Sequence, residues 1–348
     1  MRPRSVQFVV VLRGGQSAEH DVSLRSSQFV EAGLMAAGYE VAAIDIDRAG
    51  RWRAGGSDRS TANVSQAALA SLDKADVVFP VLHGPMGEDG TVQGFLEVLG
   101  KPYVGCTVPG SAIAMDKGVS KALARAAGIP VLPAFVAVAA DAETAAARAQ
   151  AVSLTLPIFV KPCNMGSSVG VSRVDSWDAL AAAILEATKH DPRVLIEQGL
   201  DAPREIEISV LGNDVPDASV PGEIVPGESF YTFEAKYGDS DSQLMIPAEL
   251  PMDQSESLRA LAVRAFSCLL CRGLARVDFL LTKDGEAFLN EVNTLPGFTE
   301  ISMYPKLWAA SGLDAAELFR KLIELAVQHH HSTRTVRDTS SCAQKLDP

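Results

Sequence analysis

Arg276-Val277-Asp278-Phe279 and Asn290-Glu291-Val292-Asn293 are the two short stretches on which the reading of this chain turns. Polar and apolar residues alternate in both, and Lys283-Asp284-Gly285 supplies turn residues between them, so they predict a β-hairpin. Side chains two apart share one face of a strand. Arg276 and Asp278 therefore share a face, as do Glu291 and Asn293 on the partner, while Val277, Phe279 and Val292 are left for the core. Two carboxylates and an amide oxygen are hard ligands of the kind that hold magnesium against phosphates. The plain alternative is a solvated hairpin face whose Arg–Asp pair contributes little. The next six residues favour chemistry: in Thr294-Leu295-Pro296-Gly297-Phe298-Thr299 the glycine can present a backbone N–H to an oxyanion beside Arg276.

A second signal lies upstream in Lys161-Pro162-Cys163-Asn164-Met165-Gly166-Ser167-Ser168-Val169-Gly170. A lysine ends a strand, and small residues then let backbone N–H groups approach phosphate oxygens. It is neither a Walker A loop nor a dinucleotide fingerprint, because the lysine precedes the glycines and no helix comes after them. A simple β-turn is the alternative. Earlier still, strands at 6–12, 41–46 and 77–82 alternate with a helix at 22–37, the rhythm of a parallel α/β sheet. Ligands of such sheets sit beyond the carboxyl ends of strands. Gly14-Gly15-Gln16-Ser17-Ala18-Glu19-His20 and His83-Gly84-Pro85-Met86-Gly87-Glu88-Asp89-Gly90 fall there, so Glu19 and His83 join the candidates. Glu19 could instead favour a helix start with Ser17 as cap, and His83 could be a satisfied loop residue.

The pattern restarts near Met115-Asp116-Lys117, which places a boundary at 105–120. Strands at 131–138, 158–161 and 169–174 and helices at 142–151 and 177–189 follow. Then come strands at 194–197 and 205–211 and a segment, 221–247, too long for an ordinary connection. Its Phe230-Tyr231-Thr232-Phe233-Glu234-Ala235-Lys236-Tyr237 argues for a lid that docks. A helix with Leu258, Leu261, Ala262, Ala265 and Leu269 on one face precedes the hairpin. A last helix runs over 314–328, and the polar stretch beyond it, with His329-His330-His331, reads as a frayed, solvated tail.

Of 348 residues, 47% are hydrophobic and 21% charged, the balance of a globular chain with room for two or three domains. The formal charge of −12 argues against nucleic acid as a partner. The apolar run at 6–12 is too short for a signal peptide, and no stretch reaches a membrane span, so a cytoplasmic protein is expected. Five scattered cysteines do not suit a disulfide framework. Cys268-Leu269-Leu270-Cys271 has redox or zinc spacing, but without a second pair it reads as packing.

Taken in order, the runs 14–23, 83–90, 161–170, 234–237, 276–278 and 290–297 resemble the D-alanine–D-alanine ligases of the ATP-grasp superfamily, over about residues 6–328. The resemblance implies an ATP-grasp fold, mixed α/β and α+β, with an N-terminal Rossmann-like parallel α/β domain. It divides the chain into a substrate domain (1–115), a central subdomain (116–200), a C-terminal subdomain with lid and metal site (201–328) and a flexible tail (329–348). ATP is then held by Lys117, Lys161, Ser168, Glu197, Leu200, Glu205 and Lys236, with Glu197 and Leu200 at the adenine edge and Glu205 on the ribose. Asp278, Glu291 and Asn293 hold two magnesium ions, with manganese as a substitute. Glu19 takes the ammonium of the first D-alanine and His83 lies near its carboxylate. Ser167 and Tyr237 link to Glu19, Arg276 and the Gly297 N–H stabilise the tetrahedral oxyanion, and Ser302 and Met303 hold the second carboxylate. The implied product is D-alanyl-D-alanine for peptidoglycan, made by a homodimer. Tyr237 in Glu-Ala-Lys-Tyr favours a dipeptide product over one made with D-lactate, and a related ligase with D-serine or D-lactate as second substrate is the alternative. Cys163 and Met165 depart from the pattern, and Cys163 is expected to make the loop sensitive to thiol reagents. A non-catalytic nucleotide-binding regulator that keeps the grasp fold is disfavoured by Arg276, Asp278, Glu291 and Asn293, and a nicotinamide dehydrogenase by the missing G-x-G-x-x-G.

Overall fold

A computed structural model describes residues 6–56, 58–225 and 243–342. The chain begins with β1 (Phe8–Gly14), α1 (His20–Ala36), β2 (Glu40–Ile46), β3 (Trp52–Ala54), α2 (Gln66–Lys74), β4 (Val77–Val81) and α3 (Thr91–Val98). β1 pairs in parallel with both β2 and β4, and β3 adds antiparallel at the edge. The apolar run in β1 is explained by cover on both faces. Val9 and Val11 pack with Val30, Leu34 and Phe319, whereas Val10 and Leu12 pack with Ile44, Leu72 and Leu96. The central position of β1 brings the loops after β1 and β4 side by side at the carboxyl end of the sheet.

Helices α4 (Val108–Met115) and α5 (Lys117–Ala126) meet at Asp116, whose side chain accepts from Val119 N and caps α5. Next come β5 (Ala134–Ala137), α6 (Ala145–Ala151), β6 (Ile158–Pro162), β7 (Ser172–Val174), α7 (Leu180–Ala187) and β8 (Val194–Gln198). Their strands form an antiparallel sheet in the order β5-β8-β6-β7.

The remaining elements are β9 (Arg204–Gly212), β10 (Asp217–Ala218), β11 (Gly222–Val225), β12 (Gln243–Met245), α8 (Met252–Cys268), β13 (Gly273–Leu281), β14 (Ala287–Asn293), α9 (Met303–Ala310) and α10 (Ala315–Cys342). A second antiparallel sheet runs β12-β11-β9-β13-β14, with β10 beside β9. Its buried face, including Ile206, Ile208, Val277 and Phe279, packs on Leu258, Ala262 and Phe266 of α8.

Two expectations change. The segment 221–247 is not one loop, because its ends are β11 and β12, paired with one another. These strands are short, and what holds β11 is non-local: pairing with β9 and burial of Ile224 against Met303 and Leu307. The last helix does not stop at 328 but runs to Cys342. Leu318, Phe319, Leu322, Ile323 and Ala326 bury one face of it, and once nucleated a helix extends through polar residues at little cost. Lys236 and Tyr237 lie outside the described residues. Among the described residues no helix is long and apolar enough to cross a membrane.

One core joins the first sheet to the C-terminal elements. Phe319 of α10 stacks near Phe29, Phe79 and Phe298, and Leu211 and Leu274 from β9 and β13 reach the same cluster. This core sets the loop around Gly297 against the end of β4 and the loop that follows it. Phe319→Ala should cost about 3–5 kcal/mol, the usual loss for a buried aromatic. A urea midpoint close to that of the unaltered protein would contradict the central place given to this ring.

Candidate active site

The hairpin is in the register that chemistry requires. Arg276 faces Asn293, Val277 faces Val292 and Asp278 faces Glu291, with an irregularity only after Asp278. Val277 and Val292 are buried in the core, so the four polar side chains share the opposite face. β9 adds a fifth on the other flank, because Glu207 lies beside Asp278. Arg276 binds Asp278 through two hydrogen bonds, Nε to Oδ1 at 2.8 Å and Nη2 to Oδ2 at 2.7 Å, and its Nε lies 2.9 Å from Glu207 Oε2. Asn293 Nδ2 donates to Asp278 Oδ2 at 2.9 Å, which leaves the amide oxygen as its acceptor end. Lys117 Nζ stands 3.3 Å from Glu291 Oε2.

Among the described residues no group of three or more His, Cys, Asp or Glu side chains is arranged to hold a metal. A divalent cation can also be held by one or two carboxylates, its shell completed by phosphate oxygens and water. Asp278, Glu291 and the Asn293 amide oxygen fit the ion by donor type.

Next to the hairpin, a cleft of about 370 Å³ opens between the two antiparallel sheets. Leu132, Phe159, Val171, Leu200 and Leu280 form apolar walls, whereas Lys117, Lys161, Ser168, Glu205, Asn290 and Glu291 line the polar part. A flat base and a charged tail need such a division. The loop after β6 borders it, with Ser167 and Ser168 at φ +51° and +59°. Two successive non-glycine residues in the left-handed region are strained, and the loop is held from outside. Asp191 Oδ2 accepts from Asn164 N at 2.6 Å and Asn164 Nδ2 at 2.8 Å, and Lys117 Nζ donates to Met165 O at 2.7 Å.

Glu197 lines the cleft, but its buried carboxylate is held by two lysines: Lys121 on one oxygen and Lys161, at 2.7 Å, on the other. Burial alone would raise Glu197; the two cations outweigh it and hold the carboxyl below its ordinary value. Burial likewise pulls both ammonium groups down. It prevails at Lys121, whereas at Lys161 it is outweighed by Glu197, with Glu291 and Glu205 adding to the effect.

Glu19 occupies the N-cap position of α1 but makes no capping bond with its side chain. Its carboxylate instead accepts from Ser167 Oγ in the loop after β6. Ser17 Oγ donates to His83 O at 2.7 Å and accepts from Glu19 N at 3.2 Å. A side chain at Gly84 would overlap Glu19 Oε2, so glycine is needed there, at φ +74°. His83 is buried, with Nδ1 at 3.0 Å from Leu295 O and Nε2 at 3.1 Å from Ser26 Oγ. Burial favours the neutral ring, but Glu88, whose Oε1 is 3.7 Å from Nδ1, and then Glu19 outweigh it and raise the imidazole above its ordinary value.

On the far side, Ser302 stands at the N-cap of α9, and its Oγ accepts from Thr299 N at 2.9 Å. Gly297 is beside it, since a Cβ there would come 3.0 Å from Ser302 Oγ. The Met303 side chain is core, against Ile224 and Leu307, so what this residue can offer a ligand is its backbone N–H.

Residues 8–106 match the family described as D-ala D-ala ligase N-terminus, and residues 123–324 its C-terminus. The chain belongs to the D-alanine–D-alanine ligase family. It is 46% identical to the D-alanine–D-alanine ligase of Deinococcus radiodurans, over 92% of this chain and 98% of that protein. With the ligase of Shouchella clausii it shares 42% identity over 95% and 97% of the two chains. Among solved structures, the D-alanine–D-alanine ligase from Coxiella burnetii superposes with a TM-score of 0.84 at 34% identity, covering 98% of this chain and all of that one. The VanG D-Ala:D-Ser ligase from Enterococcus faecalis gives 0.81 at 33%, covering 92% and 100%. The fold of this ligase family member is accordingly the ATP-grasp.

Sequence reasoning passed over several groups that this family member brings to the site. Lys121 was detectable, being four residues after Lys117 on one helical face. Glu207 alternates with Glu205 along β9, which is the same kind of signal. Glu88 stood inside the quoted run after β4, but nothing local connects it to His83. Asp191 gave no signal, because only the folded chain brings it to Asn164.

The expectation for Cys163 is overturned. Its side chain is fully buried, and burial, then Asp116, push the thiol up to about 11. At pH 8 only about one thiol in a thousand is then the reactive thiolate. Cys268 and Cys271 are free thiols, and Cys271 packs with Cys106 in the core. Iodoacetamide at pH 8 should leave Cys163 unlabelled in the folded enzyme and label it in urea, as read by peptide mass. Labelling at equal rates in both would show the thiol to be open.

Proposed function

We propose that the protein joins two D-alanines into D-alanyl-D-alanine, consuming ATP and releasing ADP and phosphate, as a supplier of peptidoglycan precursor. One observation carries this reading: Arg276, Asp278 and Asn293 share a face with Glu291, which lines the polar part of a cleft that also receives Lys117 and Lys161, and the Glu19 loop touches that cleft through Ser167. The base of ATP fits the apolar walls near Leu200, with Glu205 at the ribose. Lys117, Lys161, Ser168 and the loop N–H groups face the phosphates, joined by Lys236 from the lid. Glu197 acts here chiefly through Lys161, since both its oxygens are already engaged.

Asp278, Glu291 and Asn293 would hold two magnesium ions, or manganese in their place. Bound there, the metal supplies charge neutralisation for phosphoryl transfer. Glu19 holds the ammonium of the first D-alanine. His83 has both ring nitrogens engaged, by Leu295 O and Ser26 Oγ, and lies near the substrate carboxylate as part of the wall of its site. That carboxylate takes the γ-phosphoryl group, and the amine of the second D-alanine attacks the acyl phosphate so formed. Arg276 and the Gly297 N–H stabilise the tetrahedral oxyanion. Ser302 and the Met303 N–H at the start of α9 receive the second carboxylate. Ser167 and Tyr237 tie Glu19 to the closed lid, which keeps water from the acyl phosphate.

The likeness to a D-Ala:D-Ser ligase favours one second reading, in which D-serine, or D-lactate, replaces the second D-alanine. Incubation with ATP, magnesium and D-alanine, followed by mass analysis, should give the dipeptide with one ADP and one phosphate each. A dominant mixed product when D-serine or D-lactate is added at equal concentration would select the second reading, and no phosphate release with any pair would reject both. Arg276→Ala should lower kcat about 10²- to 10³-fold, the scale of losing one oxyanion donor. ADP binding should change little; turnover near the unaltered rate would remove Arg276 from its assigned role. We assign the enzyme to the cytoplasm, where the nucleotide is supplied, and to a homodimer.

A further inference from the structure

The ligation chemistry leaves one buried charge unused. Lys121 lies one turn beyond Lys117 on α5, so both ammonium groups leave the same side of the helix. Lys117 reaches the cleft, but Lys121 stays behind it, nearly inaccessible to solvent. Its Nζ donates to Leu289 O of β14 at 3.1 Å and pairs with Glu197 of β8. The other Glu197 oxygen holds Lys161 of β6, whose Nζ also lies 3.3 Å from Asn290 Oδ1. Both sheets that flank the cleft are thus tied to α5 through a single ammonium.

Burying a lysine in this way is costly, and an apolar side chain would fill the space without that cost. What the lysine changes is the charge seen from the cleft. If Lys161 were the sole partner of Glu197, the two would cancel and the cleft would face a neutral pair. With two cations on one carboxylate, one positive charge is left over, and of the two cations the one that lines the cleft is Lys161.

We propose that Lys121 is a positioning residue for the nucleotide: by sharing the Glu197 carboxylate it leaves the charge of Lys161 uncancelled and aimed at the phosphates. The proposal rests on the reading of the cleft as an ATP site. Glu205 and Glu291 also act on Lys161, and Lys117 on Glu291, but these groups stay the same when Lys121 is changed.

The test is the ratio of two affinities measured by calorimetry in the presence of magnesium, for ADP and for adenosine. Lys121→Met should weaken ADP about tenfold, the scale of one unit charge in a buried site, and adenosine less than twofold. Lys121→Arg should recover most of the ADP affinity. Adding Glu197→Gln to Lys121→Met removes the cancelling charge, so the double variant should regain the unaltered ratio. Parallel loss of ADP and adenosine, or an unchanged ratio, would overturn the proposal and reduce Lys121 to a packing element. Should Lys121→Met not fold, Glu197→Gln alone should exceed the double variant in ADP-to-adenosine ratio about tenfold, and equal ratios would refute the charge argument. Failure of the unaltered protein to bind ADP would instead remove the nucleotide reading and this inference with it.

Discussion

Carboxylates cannot be gathered to hold a cation without repelling each other, and the site is arranged around that constraint. Asp278 and Glu291 sit on facing rungs of a hairpin, with Glu207 beside them on the next strand. Each is met by a cation in this structure: Arg276 lies between Asp278 and Glu207, and Lys117 approaches Glu291. The same logic recurs deeper, where Glu197 is matched by Lys121 and Lys161. In a low-dielectric cleft these pairings are worth far more than on a surface, and removing one partner leaves a buried charge that the rest must accommodate.

Three parts of the chain must converge for such a site to do chemistry. The first sheet is fastened to the C-terminal elements by a shared aromatic core around Phe79, Phe298 and Phe319. His83 then reaches Leu295, and Glu19 reaches Ser167, so loops from all three parts are bonded to each other next to the cleft. The strain at Ser167 and Ser168 is tolerated because Asp191 and Lys117 hold the loop on both sides. A rigid frame carrying a strained loop is how a fold keeps backbone donors aimed at a ligand before it arrives.

Much of this was legible in advance where the signal is local. Alternation along 276–279 and 290–293 is a two-residue period, and it assigned the four polar side chains to one face correctly. The apolar run of β1 likewise announced a buried parallel strand. Reading failed where the deciding contact is distant in sequence. β11 and β12 carry few strand-forming residues between Pro221 and Pro247, and are strands because β9 and each other are their partners. The extension of α10 past Gln328 depends on a nucleus buried against the first sheet. Cys163 was expected to make its loop sensitive to thiol reagents, and the loop instead packs it inside, where burial raises the thiol.

The amino-acid sequence by itself determined which residue types stand at which faces: the polar side chains of the hairpin, the lysine before the small-residue loop, and Glu19 and His83 after their strands. Only the tertiary structure decided their electrostatic state. That Glu197 is shared by two lysines, that His83 meets Ser26 and Leu295, and that Glu19 binds Ser167 are all consequences of distances between segments far apart along the chain. Periodicity is a property of neighbours, whereas the energy of a charge depends on everything within a few ångströms of it, and those surroundings exist only after folding.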